Sequence, residues 1–297
     1  RYFSSSNDVS EITSCHWLFR MSSVSCNVEK SAWTNSQNTI LAKFLLTIFP
    51  STGIFWGGFV LFPENQIMSN YSEIIKLVDV SKTYGSEGNA RNALNPVNTS
   101  FHQGEFVLLI GPSGSGKTTL LTLIAGFQPA TRGDIFLFNK KIQSYSGMDI
   151  QRLRASSIGF VFQQFHLLES LSVIENILLV TKFAGIEKGV AIKKAEDLLD
   201  RFDVGHLRNS SPGKLSQGEK QRIAVIRALI NDAPLIIADE PTGNLSTDQG
   251  MAIVRLLKEF VTTDNRMVIV ASHDERIAEF ADRILVIKDG TLKERKS

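Results

Sequence analysis

The nine residues GPSGSGKTT, at 111–119, combine three glycines, a lysine and neighbouring hydroxyls in the pattern G-x-x-x-x-G-K-[ST]. Gly111, Gly114 and Gly116 let a backbone bend closely round a phosphate. Pro112, Ser113 and Ser115 fill the loop between them, and its N–H groups with the start of a following helix form an anion site. Lys117 brings positive charge to β- and γ-phosphates. Thr118 offers a hydroxyl to Mg²⁺, and Thr119 closes the motif. The apolar run FVLLI (106–110) precedes it and LLTLIAGF (120–127) follows, the strand and helix that the loop requires.

A second acidic stretch complements it. LIIADE, at 235–240, is an apolar run that ends in two carboxylates. Asp239 can reach the Mg²⁺ side, and Glu240 can polarise an attacking water. His273, in VASHDE, ends a third apolar run, where an imidazole could contact a γ-phosphate. Gln163, in IGFVFQQ, ends another apolar run; its amide offers both a carbonyl for Mg²⁺ and an NH₂ to orient water. LSQGEKQR, at 215–222, presents the parts of another phosphate site at a helix start, although a fuller one lies about a hundred residues earlier.

The elements that must place these groups follow from pattern. FVLLI, LIIA (235–238) and MVIVA (267–271) lack polar alternation, as strands buried on both faces of a parallel sheet do. Each is followed by the reactive residues, and the carboxyl ends of such strands are where α/β proteins bind ligands. SVIE (172–175) and SQGE (216–219) are capping boxes, so Ser172 and Ser216 open helices. Gly185 stops the first, and the second runs through Leu229. KKAEDLLDRF reads as an amphipathic helix, and KDGT (288–291) as a hairpin turn.

Taken together and in this order, the motifs resemble those of ATP-binding-cassette ATPases over about residues 74–297. The resemblance implies an α/β fold: a RecA-like P-loop NTPase core with a parallel sheet, a small antiparallel β subdomain, and an α-helical signature subdomain at about 166–231. It implies ATP and Mg²⁺ as cofactors. Tyr84, in VSKTYGSEG, matches the aromatic residue that stacks on adenine. Glu240, His273 and Gln163 match the catalytic positions, and Thr118, Gln163 and Asp239 the Mg²⁺ ligands. Leu215, Ser216, Gln217, Gly218 and Glu219 match the signature, which in this family closes over the ATP held by a second subunit. That explains why the chain carries two phosphate sites: one is half of a neighbour's.

Two positions depart from the family pattern. Gln217 stands where glycine is usual. After PTGNL, Ser246 stands where aspartate is usual, with Asp248 two residues on; this bears on coupling between the two sites. IGFVFQQFHLLESLSVIEN and DEPTGNL resemble the branch of lipoprotein-releasing, macrolide-exporting and cell-division ATPases. Members work with separate membrane permeases, which places the chain at the cytoplasmic face of the plasma membrane, paired with a second ATPase subunit. Phe165–Leu171 would line the groove for the permease. The alternative is a non-transport ABC ATPase, regulatory or force-transmitting in cell division. Ribosome-acting members carry two cassettes and DNA-repair members a long coiled coil, and neither pattern is present.

Composition bounds the rest. The 297 residues carry a formal net charge of +2, which gives no electrostatic case for nucleic acid. Cys15 and Cys26 both fall in the first thirty residues, so a reducing compartment is expected. Composition shifts near residue 70: all three tryptophans precede it. Residues 1–72 are therefore expected to lie outside the fold, as upstream translation ending near Met68, a disordered extension, or a weak membrane segment at 44–62. That last stretch is uncharged and about the length of a span, though Pro50, Gly53, Gly57 and Gly58 interrupt it.

Overall fold

The three apolar runs form the middle of one sheet. In the computed structural model, which describes residues 72–85 and 89–295, these are β3 (Phe106–Ile110), β7 (Leu235–Asp239) and β8 (Met267–Ser272). Successive residues serve opposite faces. Phe106, Leu108, Ile236, Ala238, Val268 and Val270 enter one apolar cluster. Val107, Leu109, Leu235, Ile237, Ile269 and Ala271 enter the other. Each fully buried Leu, Ile or Phe contributes about 1.5–3 kcal/mol, so strands apolar at every position are held from both sides. The expected segment at 44–62 and the N-terminal extension lie outside the described residues, apart from Ser72. Among the described residues no helix is long and apolar enough to cross a membrane.

With β6 (Ile158–Val161), β9 (Arg283–Lys288) and β10 (Thr291–Glu294), the sheet order is β10-β9-β3-β8-β7-β6. All pairings are parallel except β10 with β9. The β9–β10 hairpin turns at Asp289 and Gly290, both at positive φ, as KDGT predicts. A second, four-stranded antiparallel sheet has the order β2-β1-β4-β5, from β1 (Glu73–Tyr84), β2 (Arg91–His102), β4 (Arg132–Leu137) and β5 (Lys140–Lys141). Helix α1 (Lys117–Ile124) packs in the same cluster as this sheet. The β1–β2 register shifts between Leu77 and Val80, at Asp79 with φ 49°. There Asp79 and Asn98 exchange hydrogen bonds of 2.8 and 2.7 Å.

The remaining α-helices among the described residues are α2 (Gly147–Ser157), α3 (Val173–Ala184), α4 (Lys188–Arg201), α5 (Gln217–Leu229) and α6 (Thr247–Asp264). Both capping boxes form: Ser172 with Glu175 opens α3, and Ser216 with Glu219 opens α5. Gly185 ends α3 at φ 76°. Val173, Ile177, Ala195, Leu198, Ile223 and Ile226 join α3, α4 and α5 to one face of the parallel sheet.

β6 and α5 approach closely at Gly159. A Cβ there would stand 2.2 Å from the carbonyl oxygen of Ala228, a backbone atom that has nowhere to move. Gly159→Ala is expected to lower stability by about 1–3 kcal/mol, read as an earlier urea midpoint. An unchanged midpoint would show that α5 does not press on β6 there.

Candidate functional site

The parallel register brings the motifs to one edge. Ile110 pairs with Ser272, Asp239 with Ala271, and Val161 with Ala238. Gly111, Glu240, His273 and Gln163 therefore leave the sheet from the ends of adjacent strands.

The loop after β3 is built for close backbone approach. A Cβ on Gly111 would fall 2.1 Å from the carbonyl of Ile287, and Gly116 adopts φ 111°. Gly116 also caps α1 without a side-chain hydrogen bond, so the first N–H groups of α1 are not closed by a cap. Ser115 Oγ is buried with no hydrogen-bond partner among the described residues. An uncapped helix start inside a glycine loop suits an anion.

Three charged groups from two elements converge beside it. Lys117 is buried, and its Nζ donates to the carbonyls of Gly111 (2.7 Å) and Pro112 (3.2 Å). It stands 3.8 Å from Glu240 Oε1. Thr118 Oγ1 donates to Asp239 Oδ2 at 2.7 Å. Burial pushes the Asp239 carboxyl above the usual carboxylate range; the Glu240 charge adds to this, and the Thr118 hydrogen bond and Lys117 oppose it. Asp239 Oδ1 is buried without a hydrogen-bond partner among the described residues. An orphaned carboxylate oxygen next to a threonine hydroxyl is a hard-oxygen donor pair, which fits Mg²⁺.

Glu240 holds a left-handed backbone, φ 51°, and its N–H donates to Ala271 O at 2.8 Å. This turns its carboxylate toward both Lys117 and His273, whose Nδ1 lies 2.9 Å from Glu240 Oε2. His273 itself is largely exposed. Gln163 is exposed two residues beyond β6, and among the described residues no hydrogen bond joins it to Thr118 or Asp239. Tyr84 ends β1 with its ring partly exposed, and Lys82 Nζ lies 5.2 Å from the ring centroid. Its hydroxyl donates to Gln128 Oε1 (2.8 Å), and Gln128 Nε2 donates to Thr122 of α1 (2.6 Å). This ties the aromatic residue to the phosphate-loop helix.

The signature segment stands apart from this cluster. Leu215 is buried, whereas Ser216 and Gln217 are exposed. Glu219 accepts from Ser216 N (2.7 Å) and Ser216 Oγ (2.8 Å). The backbone bond from Ser216, then its hydroxyl, hold the Glu219 carboxyl below the usual range. Ser246, the second departure, caps α6 by accepting from Gln249 N, a task an aspartate performs equally well. The stretch expected to line a permease groove is mixed. Leu168 is buried and fixed by Asn176, which accepts from Leu168 N and donates to the carbonyls of Leu168, Leu171 and Ser172. Nothing in the sequence marks Asn176 for this task, because a single polar residue in a helix carries no distinctive pattern.

A family profile described as "ABC transporter" matches residues 94–243. The chain belongs to the ABC transporter ATP-binding family. It is an ATP-hydrolysing cassette. It is 39% identical over 224 residues to the putative hemin import ATP-binding protein HrtA of Staphylococcus haemolyticus, covering 74% of this chain and 99% of that one. It is 38% identical to the macrolide export ATP-binding/permease protein MacB of Chlorobaculum tepidum, covering 74% of this chain and 33% of that longer protein. Among solved structures it resembles the MJ0796 cassette, a dimer bound to ADP and Pi, with TM-score 0.71, 35% identity, and coverage of 75% of this chain and all of that one. MJ0796 is from Methanocaldococcus jannaschii.

Ionisation of Asp239 gives a test of the cluster. An acid whose folded-state pKa is raised disfavours folding once it ionises. That penalty is absent below its unfolded value, near 3.8, and complete above the raised one. Asp239→Asn removes the charge. The stability of this variant relative to the parent, measured without nucleotide by urea denaturation, should therefore rise between pH 4 and pH 7. A difference that stays flat or falls would show that Asp239 is not desolvated.

Proposed function

We propose that this chain binds Mg-ATP at the carboxyl edge of its parallel sheet and pairs head to tail with a second copy to hydrolyse it. What carries this is the position of Glu240. Its backbone geometry and the Lys117 and His273 contacts hold one carboxylate at the mouth of the phosphate loop. In this account Lys117 and the start of α1 bind the β- and γ-phosphates, and Tyr84 stacks on adenine. Thr118, Asp239 and Gln163 would hold Mg²⁺, which would screen phosphate charge. Glu240 takes up a proton from the attacking water, and His273 orients Glu240 and reaches the γ-phosphate. Leu215–Glu219 meet the partner's ATP, with Ser216 and Gly218 supplying the donors.

The cassette would drive a separate permease from the cytoplasmic face of the membrane, as a peripheral subunit. The resemblance of residues 158–176 and 239–245 to lipoprotein-releasing and macrolide-exporting ATPases supports an export role. The relatives' names span macrolide export and hemin import, so direction of transport is the finer part of the proposal.

Glu240→Gln keeps shape but loses the proton acceptor. Turnover should fall by about a hundredfold or more, the scale of positioned acid–base contributions, and ATP should then hold two chains together. Light scattering should show the variant moving from monomer toward dimer when Mg-ATP is added. Adding Ser216→Arg should abolish that dimer and leave ATP binding to the monomer nearly intact. A double variant that still dimerises on ATP would rule out the signature as the second half of the site.

A further inference from the structure

Arg227 lies near the end of α5, the helix opened by the signature, in an otherwise apolar stretch, IAVIRALI. It is buried to 4% exposure. Its guanidinium spans two backbone carbonyls: Nη2 donates to Phe165 O and Nη1 to His166 O, each at 2.7 Å. Burial lowers its pKa only to about 10, so it is charged at neutral pH. His166 sits at φ 49°, a conformation that a residue with a Cβ adopts under constraint. Its ring meets Phe162 edge-on at 4.8 Å.

These contacts pin the chain on both sides of Gln163. Upstream, Val161 is in the β6–β7 ladder opposite Ala238. Downstream, the Phe165 and His166 carbonyls are gripped by Arg227. Only residues 162–164 bridge the two anchors, and so short a bridge leaves Gln163 little room to move. The seat of Arg227 is itself fixed, because the next residue, Ala228, abuts Gly159 of β6.

We propose that Arg227 is a positioning residue for ATP hydrolysis, acting by setting where Gln163 stands. The inference rests on the role proposed above for Gln163. A guanidinium is suited to the task because its planar fork reaches two acceptors at once, which an ammonium cannot do with the same rigidity. The arrangement also joins the two half-sites mechanically. One end of α5 carries Ser216 and Gln217 toward a partner's nucleotide, and about 15 Å along the same rod Arg227 holds the loop that serves the chain's own.

The test is a double-mutant cycle on the full chain, reading kcat and KM for Mg-ATP. Arg227→Met keeps the volume and removes both donors without leaving a buried charge. It should lower kcat at least tenfold and leave KM within about twofold. Gln163→Ala should also lower kcat, and the double variant should fall no more than about twofold below the lower single. Arg227→Lys, whose donors all sit on one nitrogen without the planar fork, should lie between parent and Met variant, and it carries the same comparison if the Met variant does not fold. A kcat within twofold of the parent for Arg227→Met, or losses that multiply in the double variant, would overturn the inference while leaving the Gln163 role standing. A Gln163→Ala variant with unchanged kcat would overturn the Gln163 role, and with it the positioning claim.

Discussion

Asp239 and Glu240 place two adjacent carboxylates where water barely reaches, with exposures of 3% and 9%. Burial costs such carboxylates their solvation, and the Thr118 hydroxyl and Lys117 stand close enough to oppose the effect on Asp239. Three features of the fold make the arrangement sustainable. β7 is clamped between β6 and β8 and buried on both faces, so its end cannot swing outward. Glu240 turns away from Asp239 through a left-handed backbone. Thr118 takes one Asp239 oxygen. A cluster of this kind is electrostatically costly without further positive charge, and in the proposed function a nucleotide with its metal would supply that charge from the loop beside it.

The parallel sheet was readable because its three central strands are apolar at every position. Only strands covered on both faces tolerate that pattern. The helix starts at Ser172 and Ser216 and the turn at Asp289–Gly290 were readable because caps and tight turns depend on a few local residues. The pair β1–β2 was not. Its register shifts and the Asp79–Asn98 exchange interrupt alternation, and Pro96 sits inside a strand. α2 was missed for another reason: its few apolar residues make no continuous stripe. At the site, the residues proposed to meet phosphate or metal are announced by spacing. Gln128, Asn176 and Arg227, which bond Tyr84, Leu168 and the Phe165–His166 backbone, are single side chains that no spacing rule marks. Arg227 alone left a trace, as a lone charge in a run of apolar residues. Ser246 shows the reverse case: it departs from the family pattern, yet keeps the cap it replaces.

The two helix starts that we propose meet phosphate differ in design. α1 begins at a glycine with no capping side chain, so its N–H groups are open to a ligand held within the chain. α5 begins with a complete capping box, whose Glu219 carboxylate already satisfies the Ser216 N–H and hydroxyl. A helix start closed in this way is a weaker anion site by itself. That fits a segment meant to add contacts to an ATP bound elsewhere, and Lys117 with the open α1 start would supply most of the grip.

That division of labour is tested most directly by titrating Mg-ATP into Lys117→Ala and following heat. Loss of a charge-assisted phosphate contact, about 1.5–3 kcal/mol, predicts affinity weakened at least about tenfold with the fold intact by circular dichroism. Affinity equal to that of the parent would contradict the account, because the positive group at the centre of the cluster would then not touch the nucleotide.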